Sequence, residues 1–100
     1  MTADTSNALI TQNETLASKI SKAEDSKDLH KVEEQINFLE PLWDSLGYGY
    51  KIEELRSRIN RKAWSLAYEL RGYIGKLRKN DRTRASAEAD LAILETYGSN

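Results

Sequence analysis

The sequence predicts an all-α fold, a small antiparallel bundle of three to four helices. Apolar residues recur every three or four positions along four segments, which lines them up on one side of a helix. No segment alternates apolar and polar residues with the period of two that a half-buried strand needs. Turn-forming residues cluster at three interior places, Asp25-Ser26, Gly47 to Tyr50 and Asn80-Asp81. The 100 residues are expected to form one helical domain spanning 1–100, with 1–5 and 98–100 frayed.

The first helix, about 6–24, follows the cap-forming run Asp4-Thr5-Ser6-Asn7 and carries Leu9, Leu16, Ile20 and Ala23 on one side. Asp25-Ser26 breaks it and caps the second, in which Leu29, Val32, Ile36, Leu39, Trp43 and Leu46 form a two-heptad seam. Pro41 lies inside that seam without shifting its phase, so a kink near Pro41 and a continuation to Leu46 are expected. Gly47-Tyr48-Gly49-Tyr50 makes the turn.

The third helix, about 51–79, is the most regular, with Ile52, Leu55, Ile59, Ala63, Leu66, Leu70, Ile74 and Leu77 in phase. Glu53 and Glu54 open it and Lys76, Arg78 and Lys79 close it, as the helix dipole favours. Gly72 and Gly75 each cost about 1 kcal/mol in a helix interior. Either another backbone packs closely there or the helix breaks. A final helix, about 83–97, would bury Ala87, Leu91 and Leu94 after a cap at Asn80-Asp81.

Composition removes several function classes. Without cysteine, disulfides, thiolate catalysis and Cys-ligated metal sites are excluded. Apolar runs reach about three residues, far short of the roughly 18 that span a bilayer, and Met1 to Ile10 lacks the order of a signal peptide. A cytoplasmic chain that does not enter membranes is expected. The net charge of −1 hides a segregation. Residues 1–50 hold nine acids and four lysines, 51–84 hold eleven bases and four acids, and 85–100 hold three acids. A basic middle of this kind either steers an anionic partner or pairs with the chain's own acidic helices.

No catalytic constellation emerges. His30, the single histidine, has Glu33 and Glu34 on its helix face, but a metal centre in a bundle needs ligands from several helices. Adjacent pairs such as Glu53-Glu54 point about 100° apart and form no dyad. Gly72-Tyr73-Ile74-Gly75 shares only its spacing with a phosphate-clamping loop. No enzyme, cofactor or metal is therefore expected.

Two short stretches resemble known families. Trp43 near a turn between long helices is similar to the secreted Trp-x-Gly helical hairpins, although Asp44-Ser45-Leu46 intervenes before Gly47. Leu55-Arg56-x-x-Ile59 resembles the opening of the helical chorismate mutases, which would imply a small helical enzyme. Here the stretch lies mid-chain with Asn60 in place of the acid. Neither covers more than a few residues, and no functional residue is carried over.

What rises above background is the side of the third helix away from its apolar stripe. At about 100° per residue, Trp64 and Tyr68 share that side with Arg61, Arg71 and Arg78. Trp, Tyr and Arg are the residues enriched in binding hot spots. A second group, Trp43, Tyr48 and Tyr50, surrounds the turn. Both groups have an alternative reading as packing, with Trp64 and Tyr68 on a second core face. The expected function is a non-enzymatic protein-protein interaction module, such as an adaptor, an assembly factor or a small inhibitor of the kind phages and plasmids carry. Its partner would be another protein, with a homo-oligomer possible in principle. The alternative is a nucleic-acid-binding protein that uses segment 51–84.

Overall fold

The computed structural model describes residues 2–98, with side chains for residues 8–97. Four helices follow one another, α1 (Thr2–Lys22), α2 (Ser26–Ser45), α3 (Gly49–Lys76) and α4 (Arg82–Gly98), with no strand among the described residues. The fold is the expected small helical bundle. Helix α1 starts at Thr2, so the expected cap run Asp4 to Asn7 lies within the helix instead of before it. Met1, Ser99 and Asn100 lie outside the described residues, as does part of the fraying expected at the two ends.

Helix α3 packs against each of the other three, whereas α1 and α4 do not pack against each other. The molecule is consequently drawn out. Its radius of gyration is 16.4 Å and its extents are 60 × 22 × 17 Å, against about 13 Å for a compact chain of this length. Lys19 of α1 donates to Gln35 of α2 (3.2 Å), and Arg56 of α3 reaches Glu40 of α2 (3.0 Å). Arg71 of α3 pairs with Glu95 of α4 (3.5 Å).

The core follows the sequence periodicity closely. Leu9, Leu16, Ile20 and Ala23 of the first segment are buried, as are Leu29, Val32, Ile36 and Trp43 of the second. Ile52, Leu55, Ile59, Ala63, Leu66, Ala67 and Ile74 line α3, and Leu94 is the buried anchor of α4. Leu46 departs from its seam and is 43% exposed, because the helix has already ended at Ser45. Helix α2 runs through Pro41 without interruption. Proline withholds the bond that the Asn37 carbonyl would have accepted. Beside it, Arg56 Nη2 donates to Asn37 Oδ1 (2.8 Å) and Glu40 Oε1 (3.0 Å), tying this stretch to α3.

Helix ends are closed by specific bonds. Asp25 caps α2 by accepting from the Asp28 N–H (3.0 Å), while Asp28 accepts from the Glu24 N–H (2.9 Å), a variant of the reciprocal capping box. Asp90 of α4 adds to this cap. Its Oδ1 accepts from the Ser26 N–H (3.2 Å) and from the hydroxyl of Ser26, which is itself buried.

The far end of α2 is a Schellman closure. Tyr48 N–H bonds to the Trp43 carbonyl (2.8 Å) and Gly47 N–H to the Asp44 carbonyl (3.1 Å), with Gly47 at φ +84°. Gly49 has a different reason to be glycine, since a Cβ there would meet the Asp44 carboxylate. That carboxylate sits over the start of α3, where the helix dipole favours negative charge.

Gly72 and Gly75 do not break α3, which continues to Lys76. Nor does another backbone approach them, because an added Cβ at either would meet nothing within 4 Å. The helix ends three residues before the expected Lys79. Leu77 turns extended, Asp81 N–H closes a turn onto the Arg78 carbonyl (3.1 Å), and Arg84 Nη1 holds the Leu77 carbonyl (3.0 Å). Asp81 then caps α4 by accepting from the Thr83 hydroxyl (2.7 Å) and N–H (2.9 Å).

Two predictions follow from these glycines and caps. Gly72→Ala should stabilise the fold by about 1 kcal/mol, whereas Gly47→Ala should cost about 1 kcal/mol for its left-handed backbone. Opposite shifts of about 4–8 °C in melting temperature check the pair. The Thr83 hydroxyl, then its backbone N–H, hold the Asp81 carboxyl below the usual carboxylate range. Its capping contribution is present above the unfolded pKa and disappears as pH falls through the lower folded value. Hydrogen exchange at Thr83 should thus accelerate in Asp81→Ala at neutral pH and in the native chain only in strong acid.

Candidate functional site

Helix α3 turns its core stripe toward its three neighbours and the opposite side outward. Trp64 is 55% exposed and Tyr68 78% exposed, one turn apart on that outer side. The two rings form no second core face. Arg61 is exposed on the same side and makes no ion pair among the described residues. Arg71, half exposed, leans to one edge and pairs with Glu95.

Arg78 does not extend this strip. The helix on which its position depended ends at Lys76, so Arg78 belongs to the turn before α4. Of the seven arginines, Arg56 and Arg71 join α3 to α2 and α4, while Arg58 and Arg84 pair with Glu54 and Glu88 on their own helices. The basic segment thus divides its work between holding the bundle and facing solvent.

The second aromatic group separates into different roles. Trp43 is 1% exposed and belongs to the core, so it is not available as a contact residue; its Nε1 meets no acceptor among the described residues. Tyr48 is half-buried against that core, and Tyr50 is 61% exposed. Their rings lie 6.3 Å apart, with Lys51 Nζ 5.5 Å from the Tyr50 centroid. Fourteen residues of helix, about 21 Å of rise, separate Tyr50 from Trp64. The two groups are not one surface.

A polar cleft of about 580 Å³ lies between α2, α3 and α4, lined in part by Glu33, Asn37, Arg56, Asn60 and Tyr97. Arg56, the arginine of the mutase-like stretch, is engaged there by Asn37 and Glu40. Burial, then the charge of Glu33, push the Tyr97 phenol above its ordinary value. One guanidinium already neutralised by Glu40, facing Glu33, suits internal bracing better than capture of an anion. His30 is exposed, with Nε2 3.0 Å from Glu34 and Nδ1 3.9 Å from Glu33. No group of His, Asp and Glu among the described residues is arranged to hold a metal ion. No helix among them is long and apolar enough to cross a membrane.

A further surface was not anticipated from the sequence. Phe38, Leu42 and Leu46 are 84%, 52% and 43% exposed, and they line an open groove between α1 and α2 of about 1320 Å³. The i, i+4 pair Phe38 and Leu42 is a legible signal off the assigned seam, and Leu46 of that seam joins it from just past the helix end. No protein-family model, curated protein or solved structure matches this chain.

The opposed placement of the two tryptophans has a direct optical consequence. Trp43→Phe, which leaves Trp64, should give red-shifted emission readily quenched by acrylamide. Trp64→Phe, which leaves Trp43, should give blue-shifted emission resistant to it.

Proposed function

We propose that this chain is a non-enzymatic interaction module that binds an acidic segment of another protein through the outer side of α3. The observation that carries the reading is the exposure of Trp64 and Tyr68 one turn apart, next to the unpaired Arg61. Two large rings with more than half of their surface exposed suit a contact that a partner completes, since Trp, Tyr and Arg dominate hot spots. Arg61 and Arg71 at the edges favour an acidic partner and would steer its approach. Arg71 keeps its bond to Glu95, whereas Arg61 makes no ion pair among the described residues and would meet a carboxylate.

The fold suits a presenting role. The bundle holds α3 along its core stripe, and a helix so held loses little conformational entropy when its exposed face is covered. An adaptor, an assembly factor or a small inhibitor each requires such a face.

The test is affinity capture of the tagged chain from its native lysate in nuclease-treated and untreated halves, repeated with Trp64→Ala/Tyr68→Ala. A protein retained after nuclease by the native chain and lost by the double variant supports the reading. The double variant should keep its helicity, and its stability should change by no more than about 0.5 kcal/mol per exposed site. Capture that disappears with nuclease would transfer the basic segment to nucleic acid, and a cooperative loss of helicity would assign the rings to packing.

A further inference from the structure

We propose that the open groove between α1 and α2 is a second docking site, taking one amphipathic α-helix of about 15 residues from another protein. The helix would be apolar toward the groove and acidic at the end beside Lys19 and Lys31. This site shares no residue with the α3 face and stands independently of it.

Helix α2 is apolar on two sides. Leu29, Val32, Ile36 and Trp43 point into the bundle and are buried, while Phe38 and Leu42 project about a third of a turn away and remain in solvent. A helix with two apolar sides is normally covered on both. Only one is covered here. Leu9 and Leu16, both buried, and the half-buried Leu39 line the same groove, so the surface is a trough with apolar lining and not an isolated ring.

Dimensions select the occupant. The groove runs from Lys31 to Leu46 along α2, about 22 Å by helical rise, which matches about four turns of helix. Its volume of about 1320 Å³ exceeds the roughly 300–1,000 Å³ of small-molecule sites. Two helices side by side present a strip about 20 Å wide. The strip therefore offers about 450 Å² per partner, short of the roughly 800 Å² that a stable dimer of globular chains buries on each side. A single inserted helix fits that footprint, whereas a second copy of this chain would need further contacts outside the groove to reach that area.

Charge sets the direction. Antiparallel packing of α1 and α2 brings Lys19 and Lys31 to one end of the groove, and Leu42 and Leu46 lie toward the other. Glu34, the acid in the lining, is 3.0 Å from His30 Nε2. Two lysines against this one acid leave that end net positive, which carboxylates on the incoming helix would match.

The experiment is selection from a phage-displayed library of 15-residue peptides on a helix-forming background, with the full chain as bait. Enriched peptides should carry apolar residues at i, i+3 or i+4, and i+7, with Asp or Glu concentrated at one end. Their affinity should fall about thirtyfold or more in Phe38→Ala/Leu42→Ala, with helicity retained because both side chains are exposed. Trp64→Ala/Tyr68→Ala should leave binding unchanged, and Lys19→Glu/Lys31→Glu should weaken acid-ended peptides selectively. The proposal is overturned by no enrichment over an unrelated bait, by binding that survives Phe38→Ala/Leu42→Ala, or by a dimer in sedimentation that Phe38→Asp dissociates.

Discussion

Helix α3, 28 residues long, measures about 42 Å, whereas helices of 17–21 residues measure about 25–32 Å. None of its neighbours is long enough to cover it alone. Helices α1 and α2 take its N-terminal part and α4 its C-terminal part, so the bundle has a long spine instead of a compact centre. The elongated shape, the absence of packing between α1 and α4, and the half-exposed Tyr73 beyond the α1–α2 pair follow from this mismatch.

A spine covered in two sections needs a joint, and polar groups supply it. Asp90 reaches from α4 to the first turn of α2, where Asp25 and Asp28 already satisfy neighbouring donors. The start of α2 is thereby fixed by three carboxylates, two local and one from a helix more than sixty residues away. Arg56 and Arg71 brace α3 against α2 and α4 in the same manner. Exposed or half-exposed ion pairs contribute little to stability by themselves, so register is their more substantial effect.

A chain of this size cannot bury every apolar side chain that its helices carry. Trp64 and Tyr68 on α3 and Phe38 and Leu42 on α2 are among those left exposed, with Ile10, Tyr50, Tyr73 and Ile93 scattered elsewhere. Those two pairs lie on different helices, each on a side that also carries a cation, Arg61 in one case and Lys31 in the other. The two proposed contacts would fall on separate helices, so neither would exclude the other.

The sequence by itself determined the four helices, their order and nearly all of the core, because burial of an amphipathic stripe is written in three- and four-residue spacings. It also determined the Gly47 closure and the Asp25 and Asp81 caps, whose chemistry is local. Only the tertiary structure decided the faces outside those stripes. Trp64 and Trp43 look alike in a helical pattern, yet one is 55% exposed and the other fills the core, since the difference lies in which helix arrives opposite each. Arg78 left the α3 strip because a turn closed by Arg84 and Asp81 ended the helix early. Phe38 and Leu42 became a groove wall because α1 lies beside them and no helix lies above. Periodicity records that a side is apolar; the number and length of the neighbouring helices decide whether it is covered.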